Sequence, residues 1–289
     1  MAVTGGYFAF LLPAWGSARM NDGIDSHYAL SDGAIARFNG QGFITLRDLL
    51  APATLRHYGE EITRLTIELN TQKLPLEQRS TYDKAFLQVM NLWESSALVR
   101  DFVLGKRLGR IASELLQVRG VRLYHDQSLY KESGGGITPA HADQYYWPLA
   151  SDRTVTAWIP LQAVPLPMGP LGFFAGSQAV EFGRELPISD ESERAITAQM
   201  QAQGFPFIEE PFALGDVSFH LGWTFHRAGP NTTPQPRSVM TVIYMDQGMR
   251  LAPPVNDMQR NDRDRWCPSA VPGEIINSPL NPLVYSQGD

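Results

Sequence analysis

The chain has 289 residues, of which 43% are hydrophobic and 19% charged, as expected for a globular protein with a substantial core. A formal net charge of −6 and a pI near 5.5 argue against nucleic acid and anionic membranes as partners, because both attract basic surfaces. The single cysteine, Cys267, excludes an internal disulfide and a cysteine-rich zinc site. We therefore expect a small-molecule substrate, and the oligomeric state stays open.

The first nineteen residues include an apolar run over residues 7–12, but no Lys or Arg precedes Arg19. A secretory signal begins with a basic segment, and a run this short cannot span a bilayer. We predict that residues 1–19 form an extension outside the fold and that the protein is cytoplasmic. Residues 20–289 are expected to form a single domain.

Residues 20–119 are predicted to be mostly helical support for that domain. Ser31 is a helix N-cap, and residues 43–46 read as a short strand. Pro52 suits the first turn of a helix that reaches residue 70. Two further helices are predicted over 82–93 and 98–118. The helix after Pro52 has an apolar stripe at three- and four-residue steps, formed by Leu55, Tyr58, Ile62, Leu65 and Leu69.

Beyond Gly120 the pattern changes to short apolar or alternating runs separated by Gly, Pro and Asn, which is typical of a β-sandwich or barrel. We predict a β core over 120–250, interrupted by a helical insertion over 189–203, and a tail over 251–289 that wraps the core. The fold class is therefore mainly β with flanking helices. The predicted strands lie at residues 121–130, 155–160, 172–175, 212–221 and 239–245.

His141 and Asp143 are two residues apart, so on a β-strand their side chains leave on the same face. An imidazole and a carboxylate side by side supply two of the three ligands of a facial triad. Two histidines and one carboxylate leave the opposite face of a metal open, which suits Fe(II) binding a co-substrate and O2 together.

A third ligand and an anion clamp are available further along the chain. His226 lies near the end of a predicted strand, and Arg237 follows eleven residues later at the start of another. Arginine binds a carboxylate through two parallel charge-assisted hydrogen bonds, which lysine cannot match. These four residues are the minimum set for an iron enzyme with a 2-oxoacid co-substrate.

The pattern resembles the phytanoyl-CoA dioxygenase family, whose members are Fe(II)/2-oxoglutarate-dependent oxygenases with a double-stranded β-helix (jelly-roll, cupin-like) core. The resemblance implies that His141, Asp143 and His226 bind iron and that Arg237 binds the far carboxylate of 2-oxoglutarate. It runs from about Leu30 to about Met245. The motifs that carry it are His141-x-Asp143, Trp158, Gly169-Pro170-Leu171, Gly176-Ser177, His226 with Pro230-Asn231, and Arg237.

Three more residues follow from the same resemblance. Thr156 and Trp158 share a face of one predicted strand and match positions that line the co-substrate pocket in relatives. Gln127 is a candidate polar contact to the same molecule. The lysine that helps hold the co-substrate in animal members has no assigned equivalent, although Lys131 is nearby.

The reaction that the resemblance implies consumes O2 and 2-oxoglutarate and releases succinate and CO2. Hydroxylation of an unactivated C–H of a small-molecule metabolite is the default outcome, while epimerisation, desaturation and cyclisation stay open. Halogenation is disfavoured, since halogenating relatives lack the carboxylate found here at Asp143. A substrate without CoA is favoured, because no basic cluster awaits the CoA phosphates.

Two other functional classes remain as alternatives: a non-catalytic, metal- or ligand-binding cupin-like protein, and a zinc hydrolase that uses the same triad. His220 is the nearest rival for the third ligand, and we interpret it as a core histidine or one that supports a ligand. His125 is expected in the core, and His27 and His57 at the surface. About half of one aromatic set is expected to line a substrate pocket and half to be core: Tyr145, Tyr146, Trp147, Phe173, Phe174 and Trp223.

Overall fold

The structure, a computed structural model, describes residues 23–288, so the predicted extension over 1–19 lies outside the described residues. The helices are α1 (Asp32–Gln41), α2 (Pro52–Leu69), α3 (Thr81–Ala85), α4 (Ala97–Val103), α5 (Lys106–Leu116), α6 (Asp190–Ala202) and α7 (Asp257–Trp266). The strands are β1 (Phe43–Leu46), β2 (Leu87–Met90), β3 (Gly120–Lys131), β4 (Thr138–His141), β5 (Thr154–Pro160), β6 (Leu171–Phe174), β7 (Phe207–Glu209), β8 (Val217–Leu221), β9 (His226–Ala228), β10 (Arg237–Asp246) and β11 (Leu283–Ser286).

The strands form two antiparallel sheets with a cavity between them. The larger sheet has seven strands in the order β1-β8-β5-β10-β3-β11, and β2 pairs with another part of β3. The smaller sheet has four strands in the order β4-β9-β6-β7. Side chains from both sheets line the cavity.

The large sheet is buried on both faces, which explains the near-continuous apolar run of β5. Thr156 and Trp158 line the cavity, whereas Val155, Ala157 and Ile159 pack into the core beneath the N-terminal helices. This period of two is the pleat of a β-strand. It places Thr156 and Trp158 towards the cavity and aliphatic residues towards the helices.

The predicted helix after Pro52 is confirmed as α2. Its stripe of Leu55, Tyr58, Ile62 and Leu65 is buried, whereas Leu69 remains 39% exposed at the helix end. The predicted N-cap at the start of α1 is also confirmed, because the Ser31 side chain accepts a hydrogen bond from the Ala34 backbone N–H.

The prediction of one helix over 82–93 was wrong. The helix α3 ends at Ala85, and β2 follows and pairs with β3. Alternate residues Phe86, Gln88 and Met90 face the cavity, while Val89 packs against the core. Apolar residues on both faces hide a period of two in the sequence. The N-terminal third therefore mixes helices with two strands of the large sheet.

Two other predictions need correction. The helix predicted over 98–118 is divided into α4 and α5 at Gly105, where a Cβ would lie 3.1 Å from the carbonyl oxygens of Ile24 and Phe102. The tail does more than wrap the core, because β11 adds a strand to the large sheet beside β3. Val284 in β11 packs against Gly109 of α5, where a Cβ would lie 2.7 Å from the valine Cγ1.

Within residues 23–288, no helix combines the length and apolar character that crossing a membrane requires.

Candidate metal centre

The smaller sheet brings the three predicted iron ligands together. His141 ends β4 and pairs with His226 at the start of β9. Asp143 follows the extended residue Ala142 and begins a 3-10 turn. The ligand atoms of the three side chains all lie within 4.8 Å of one another. The Asp143 Oδ1 atom is 3.5 Å from His141 Nε2 and 3.7 Å from His226 Nε2.

The backbone fixes which nitrogen each histidine presents to the centre. His141 Nδ1 lies 2.7 Å from the Pro139 carbonyl oxygen, and His226 Nδ1 lies 2.9 Å from that of Thr224. A carbonyl oxygen only accepts, so each Nδ1 carries the proton and donates it. A neutral ring then has its lone pair on Nε2, the atom that faces Asp143.

The protonation of the centre suits a metal ion. Burial, together with neighbouring His141, holds the pKa of His226 well below its ordinary value, so the ring is neutral. Burial opposes ionisation of Asp143, but the surrounding histidines outweigh it and hold its pKa well below the usual range. Two imidazole lone pairs and a carboxylate thus converge in a buried space, and a cation is the group that satisfies all three.

Two residues of the large sheet donate hydrogen bonds to the second carboxylate oxygen of Asp143, Oδ2. Thr156 Oγ1 donates to Asp143 Oδ2 at 3.1 Å, and His220 Nε2 donates to the same oxygen at 3.2 Å. Thr156 and His220 are paired partners on β5 and β8, so both reach the carboxylate from one rung of the sheet. This arrangement agrees with the interpretation of His220 as a residue that supports a ligand.

Arg237 begins β10, with 2% of its surface exposed. Its Nη1 atom donates to the Gly169 carbonyl oxygen, and its guanidinium lies 5.4 Å from the centre of the Trp158 ring. Burial lowers the pKa of Arg237 to about 9, so it stays cationic at neutral pH. Its Nε atom is buried without a hydrogen-bond partner among residues 23–288, which leaves donor capacity for an anion.

Lys131 of β3 is paired with Arg237 of β10. From the sequence, Lys131 had no assigned role. Its amine is fully buried and donates to the carbonyl oxygen of Gly136 and to Thr138 Oγ1. Burial, reinforced by Arg237, lowers the pKa of Lys131 to about 6. Arg237 is therefore the permanent positive charge at this end of the site.

His141, His226, Asp143 and Arg237 all line one cavity of about 430 Å³. Thr156, Trp158 and Gln127 line it too, so all seven sequence-predicted site residues meet in one space. The Gln127 side chain accepts a hydrogen bond from Gln88 of β2. Thr156 differs from expectation in one respect, since it contacts the carboxylate of Asp143.

Of the six aromatic residues expected to divide between pocket and core, Tyr146 and Trp147 line the cavity. Phe173 and Phe174 belong to hydrophobic core clusters, and Trp223 lies beneath Arg184. Tyr145 packs edge-on against Tyr146 and does not line the cavity. His125 is buried as expected, but it also lines the cavity. His27 and His57 are exposed, as expected.

Several cavity residues were not identified from the sequence. They come from α3, β2, the loop before α6, and α7, all of which lie far from the His-x-Asp motif in the chain. For β2 the two-residue period is hidden by apolar residues on both faces. For α7 the available signal was the four-residue spacing of Met258 and Asp262, which puts them on one helix face. These residues are Tyr82, Phe86, Gln88, Met90, Pro187, Ile188, Met258 and Asp262.

A search of curated protein sequences gave no significant match. Among solved structures, the chain is similar to SnoK, a non-haem α-ketoglutarate-dependent carbocyclase from nogalamycin biosynthesis. The two share 25% identity with a TM-score of 0.72, over 89% of this chain and 97% of SnoK.

Two other solved structures show the same fold. The epimerase SnoN, in complex with Fe3+, α-ketoglutarate and nogalamycin RO, is 23% identical with a TM-score of 0.72, over 88% of this chain and 98% of SnoN. EctD from S. alaskensis, with 2-oxoglutarate and 5-hydroxyectoine, is 18% identical with a TM-score of 0.63, over 80% of this chain and 83% of EctD. The predicted double-stranded β-helix core is confirmed.

The family comparison matches the model described as phytanoyl-CoA dioxygenase (PhyH) over residues 38–239, well over half of the chain. This match confirms the predicted resemblance and, with it, the prediction of an Fe(II)/2-oxoglutarate-dependent dioxygenase. The chain belongs to the phytanoyl-CoA dioxygenase family.

Proposed function

We propose that this dioxygenase oxidises an unactivated C–H bond of a small-molecule metabolite, with hydroxylation as the outcome. The observation that carries the proposal is the convergence of two Nε2 lone pairs and one carboxylate oxygen within 4.8 Å, beside a buried arginine. Family membership supplies the class of chemistry, and this donor set fits Fe(II).

In the proposal, His141, Asp143 and His226 hold the iron, and Arg237 holds the far carboxylate of 2-oxoglutarate. When bound, these groups use O2 to oxidise the substrate and convert the co-substrate to succinate and CO2. Arg237 fits the anionic role, because it is cationic, buried and has unused donor capacity.

The remaining residues orient the ligands and limit access of water. Thr156 and His220 fix the carboxylate plane of Asp143 through hydrogen bonds to Oδ2, which leaves Oδ1 towards the histidines. Gly169 orients the Arg237 guanidinium through its carbonyl oxygen. Trp158 packs beside that guanidinium and forms part of the cavity wall.

A non-hydroxylating outcome (epimerisation, desaturation or cyclisation) is the second candidate. Its support is the similarity to SnoK, a carbocyclase, at 25% identity, and to SnoN, an epimerase. Mass spectrometry of the product distinguishes the outcomes, since hydroxylation adds one oxygen atom, epimerisation leaves the mass unchanged, and cyclisation removes two hydrogens. A cupin-like protein without catalysis predicts no succinate at all, even over long incubations with O2.

The test of the proposed site is an anaerobic titration of the protein with Fe(II) and 2-oxoglutarate. We expect a weak metal-to-ligand charge-transfer band in the visible spectrum. Asp143→Ala should abolish the band, and Arg237→Lys should raise the concentration of 2-oxoglutarate needed to produce it. His57→Ala, which alters an exposed histidine, is the matched control and should leave the spectrum unchanged. A band that survives in Asp143→Ala would contradict the proposal.

A further inference from the structure

The cavity has two chemically different ends. In the pairing of β3 with β10, Arg237 lies opposite Lys131, and His125 lies opposite Ile243. Lys131 and His125 are thus separated by six steps along β3, or roughly 20 Å at about 3.3 Å per residue. A five-carbon co-substrate held by Arg237 cannot extend to His125, so that end is left for the substrate.

The end near His125 is closed by α7, which lies outside the residues matched to the family. Met258 and Asp262 line the cavity from this helix. The Gln259 side chain donates to the Tyr145 carbonyl oxygen at 3.0 Å, which ties α7 to the turn that begins at Asp143. The Asp262 carboxylate accepts a hydrogen bond from the hydroxyl of Tyr124, a fully buried residue.

Asp262 is a partly buried carboxyl group that hydrogen-bonds Tyr124, and Arg265 of the same helix is close enough to lower its pKa. The other two arginines of the helix form ion pairs elsewhere, Arg260 with Asp257 and Arg263 with Asp264 at 2.7 Å. The Arg265 guanidinium lies 5.4 Å from the centre of the Trp266 ring. Burial raises the pKa of Asp262 to about 7. Burial outweighs the effect of Arg265, so a cationic ligand at this cavity wall would stabilise the ionised carboxylate further.

The surroundings of Asp262 are aromatic. The centre of the His125 ring lies 6.3 Å from that of Trp147 and 5.7 Å from that of Trp266. His125 is 3% exposed, and its Nδ1 atom is buried without a hydrogen-bond partner in the described chain. Burial lowers the pKa of His125 to about 3, so the ring is neutral. A carboxylate beside electron-rich rings is the environment that proteins use to bind ammonium groups.

We propose that the cavity end formed by His125, Trp147 and Asp262 binds a protonated amine carried by an apolar, ring-containing substrate. The proposal rests on the proposed function, because it assigns the half of the cavity that 2-oxoglutarate does not fill. Arg237 is the only Lys or Arg among the cavity-lining residues described. An anionic substrate would therefore meet no free positive charge once the co-substrate is bound.

The test uses three matched probes: 2-naphthylmethylamine, 2-naphthylmethanol and 2-naphthoate. Binding to the full chain at pH 8 is measured by ligand-observed NMR, in metal-free protein and in protein loaded anaerobically with Fe(II) and 2-oxoglutarate. We expect the amine to bind about tenfold more tightly than the alcohol and the carboxylate to bind most weakly in loaded protein. Asp262→Asn should weaken amine binding about tenfold and change alcohol binding less than about twofold.

Asp264→Asn is the matched control, because Asp264 is on the same helix, pairs with Arg263 at the surface and does not line the cavity. It should leave all three affinities unchanged, and thermal melting checks that both variants fold. Equal amine affinity in Asp262→Asn and wild type, or tighter binding of naphthoate than of the amine in loaded protein, would overturn the proposal. The metal-free arm reports on the amine site even if iron and 2-oxoglutarate fail to bind, so the two proposals fail separately.

Discussion

At the scale of single residues, the site depends on backbone carbonyls and neighbouring side chains as much as on the three proposed metal ligands. Carbonyl oxygens of Pro139 and Thr224 set the tautomers of the two histidines. Thr156 and His220 set the orientation of Asp143. The sequence singled out the three residues that we propose as metal ligands, because their types and spacing are specific. It could not give the hydrogen bonds, because these join elements that are distant in the chain.

Thr156→Val removes the 3.1 Å hydrogen bond to Asp143 Oδ2 and keeps the side-chain volume. We expect the affinity for Fe(II) to fall about tenfold, since groups that orient a metal ligand contribute that much. Anaerobic titration followed by chelator competition measures the change. Thr156→Ser keeps the hydroxyl and should bind iron as the wild type does. Equal iron affinity in all three proteins would show that Thr156 has no orienting role.

At the scale of elements, one glycine links a loop to Arg237. Gly169 has φ +69°, and a Cβ there would lie 2.3 Å from the Gly229 carbonyl oxygen. We expect Gly169→Ala to lower the free energy of unfolding by about 2–4 kcal/mol, through backbone strain and the clash. It should also weaken 2-oxoglutarate binding, because the Gly169 carbonyl orients Arg237.

Gly204→Ala provides the comparison for urea unfolding. Gly204 has φ +76°, but no atom lies within 4 Å of its Cβ position. Its cost should be only the left-handed conformation, about 1–2 kcal/mol, and 2-oxoglutarate binding should not change. If the two alanine variants are equally stable and bind the co-substrate equally well, the close approach of Gly169 to Gly229 contributes neither to stability nor to co-substrate binding.

A buried carboxyl group joins β3 to the 3-10 turn after β2. Asp126 accepts hydrogen bonds from the backbone N–H groups of Leu92 and Trp93, at 2.9 and 3.3 Å. Burial, partly offset by these bonds, raises the pKa of Asp126 from 3.8 to about 7. The folded state therefore holds this proton more tightly than the unfolded state, and stability falls as pH rises between about 4 and 7.

Comparison with Asp126→Asn isolates this effect, because the asparagine has no charge to bury. We expect the free energy of unfolding of the wild type, relative to the variant, to fall by about 2–3 kcal/mol between pH 5 and pH 7.5. Urea unfolding of metal-free protein at both pH values measures it. A difference that is constant with pH, or that grows in favour of the wild type, would contradict the buried-carboxyl account.

At the scale of the whole molecule, the tail has two roles that the sequence did not reveal. It supplies α7 to the cavity and β11 to the large sheet. Its Pro- and Asn-rich composition suggested only irregular wrapping. The predicted β core was correct because its strands have strong local patterns, whereas β2 and β11 are defined by pairing with β3. Tertiary pairing of this kind is not visible in a short local pattern.

Removing residues 283–289 deletes β11 and exposes an edge of β3. Val284 is 6% exposed and packs against α5, so we expect the free energy of unfolding to fall by about 2–3 kcal/mol. Removing only 288–289 leaves the strand intact and should change stability by less than about 0.5 kcal/mol. Thermal or urea unfolding measures both. Equal stability of the two truncated proteins would mean that β11 does not contribute to the sheet.

The central claim is that His141, Asp143 and His226 bind one iron ion beside an anion site at Arg237. Anomalous diffraction at the iron edge, from crystals grown without O2 and with Fe(II) and 2-oxoglutarate, tests it most directly. The account predicts one iron peak in contact with Nε2 of both histidines and with the Asp143 carboxylate, and a co-substrate carboxylate against Arg237. An iron bound through His220 in place of His226, or a co-substrate away from Arg237, would contradict it.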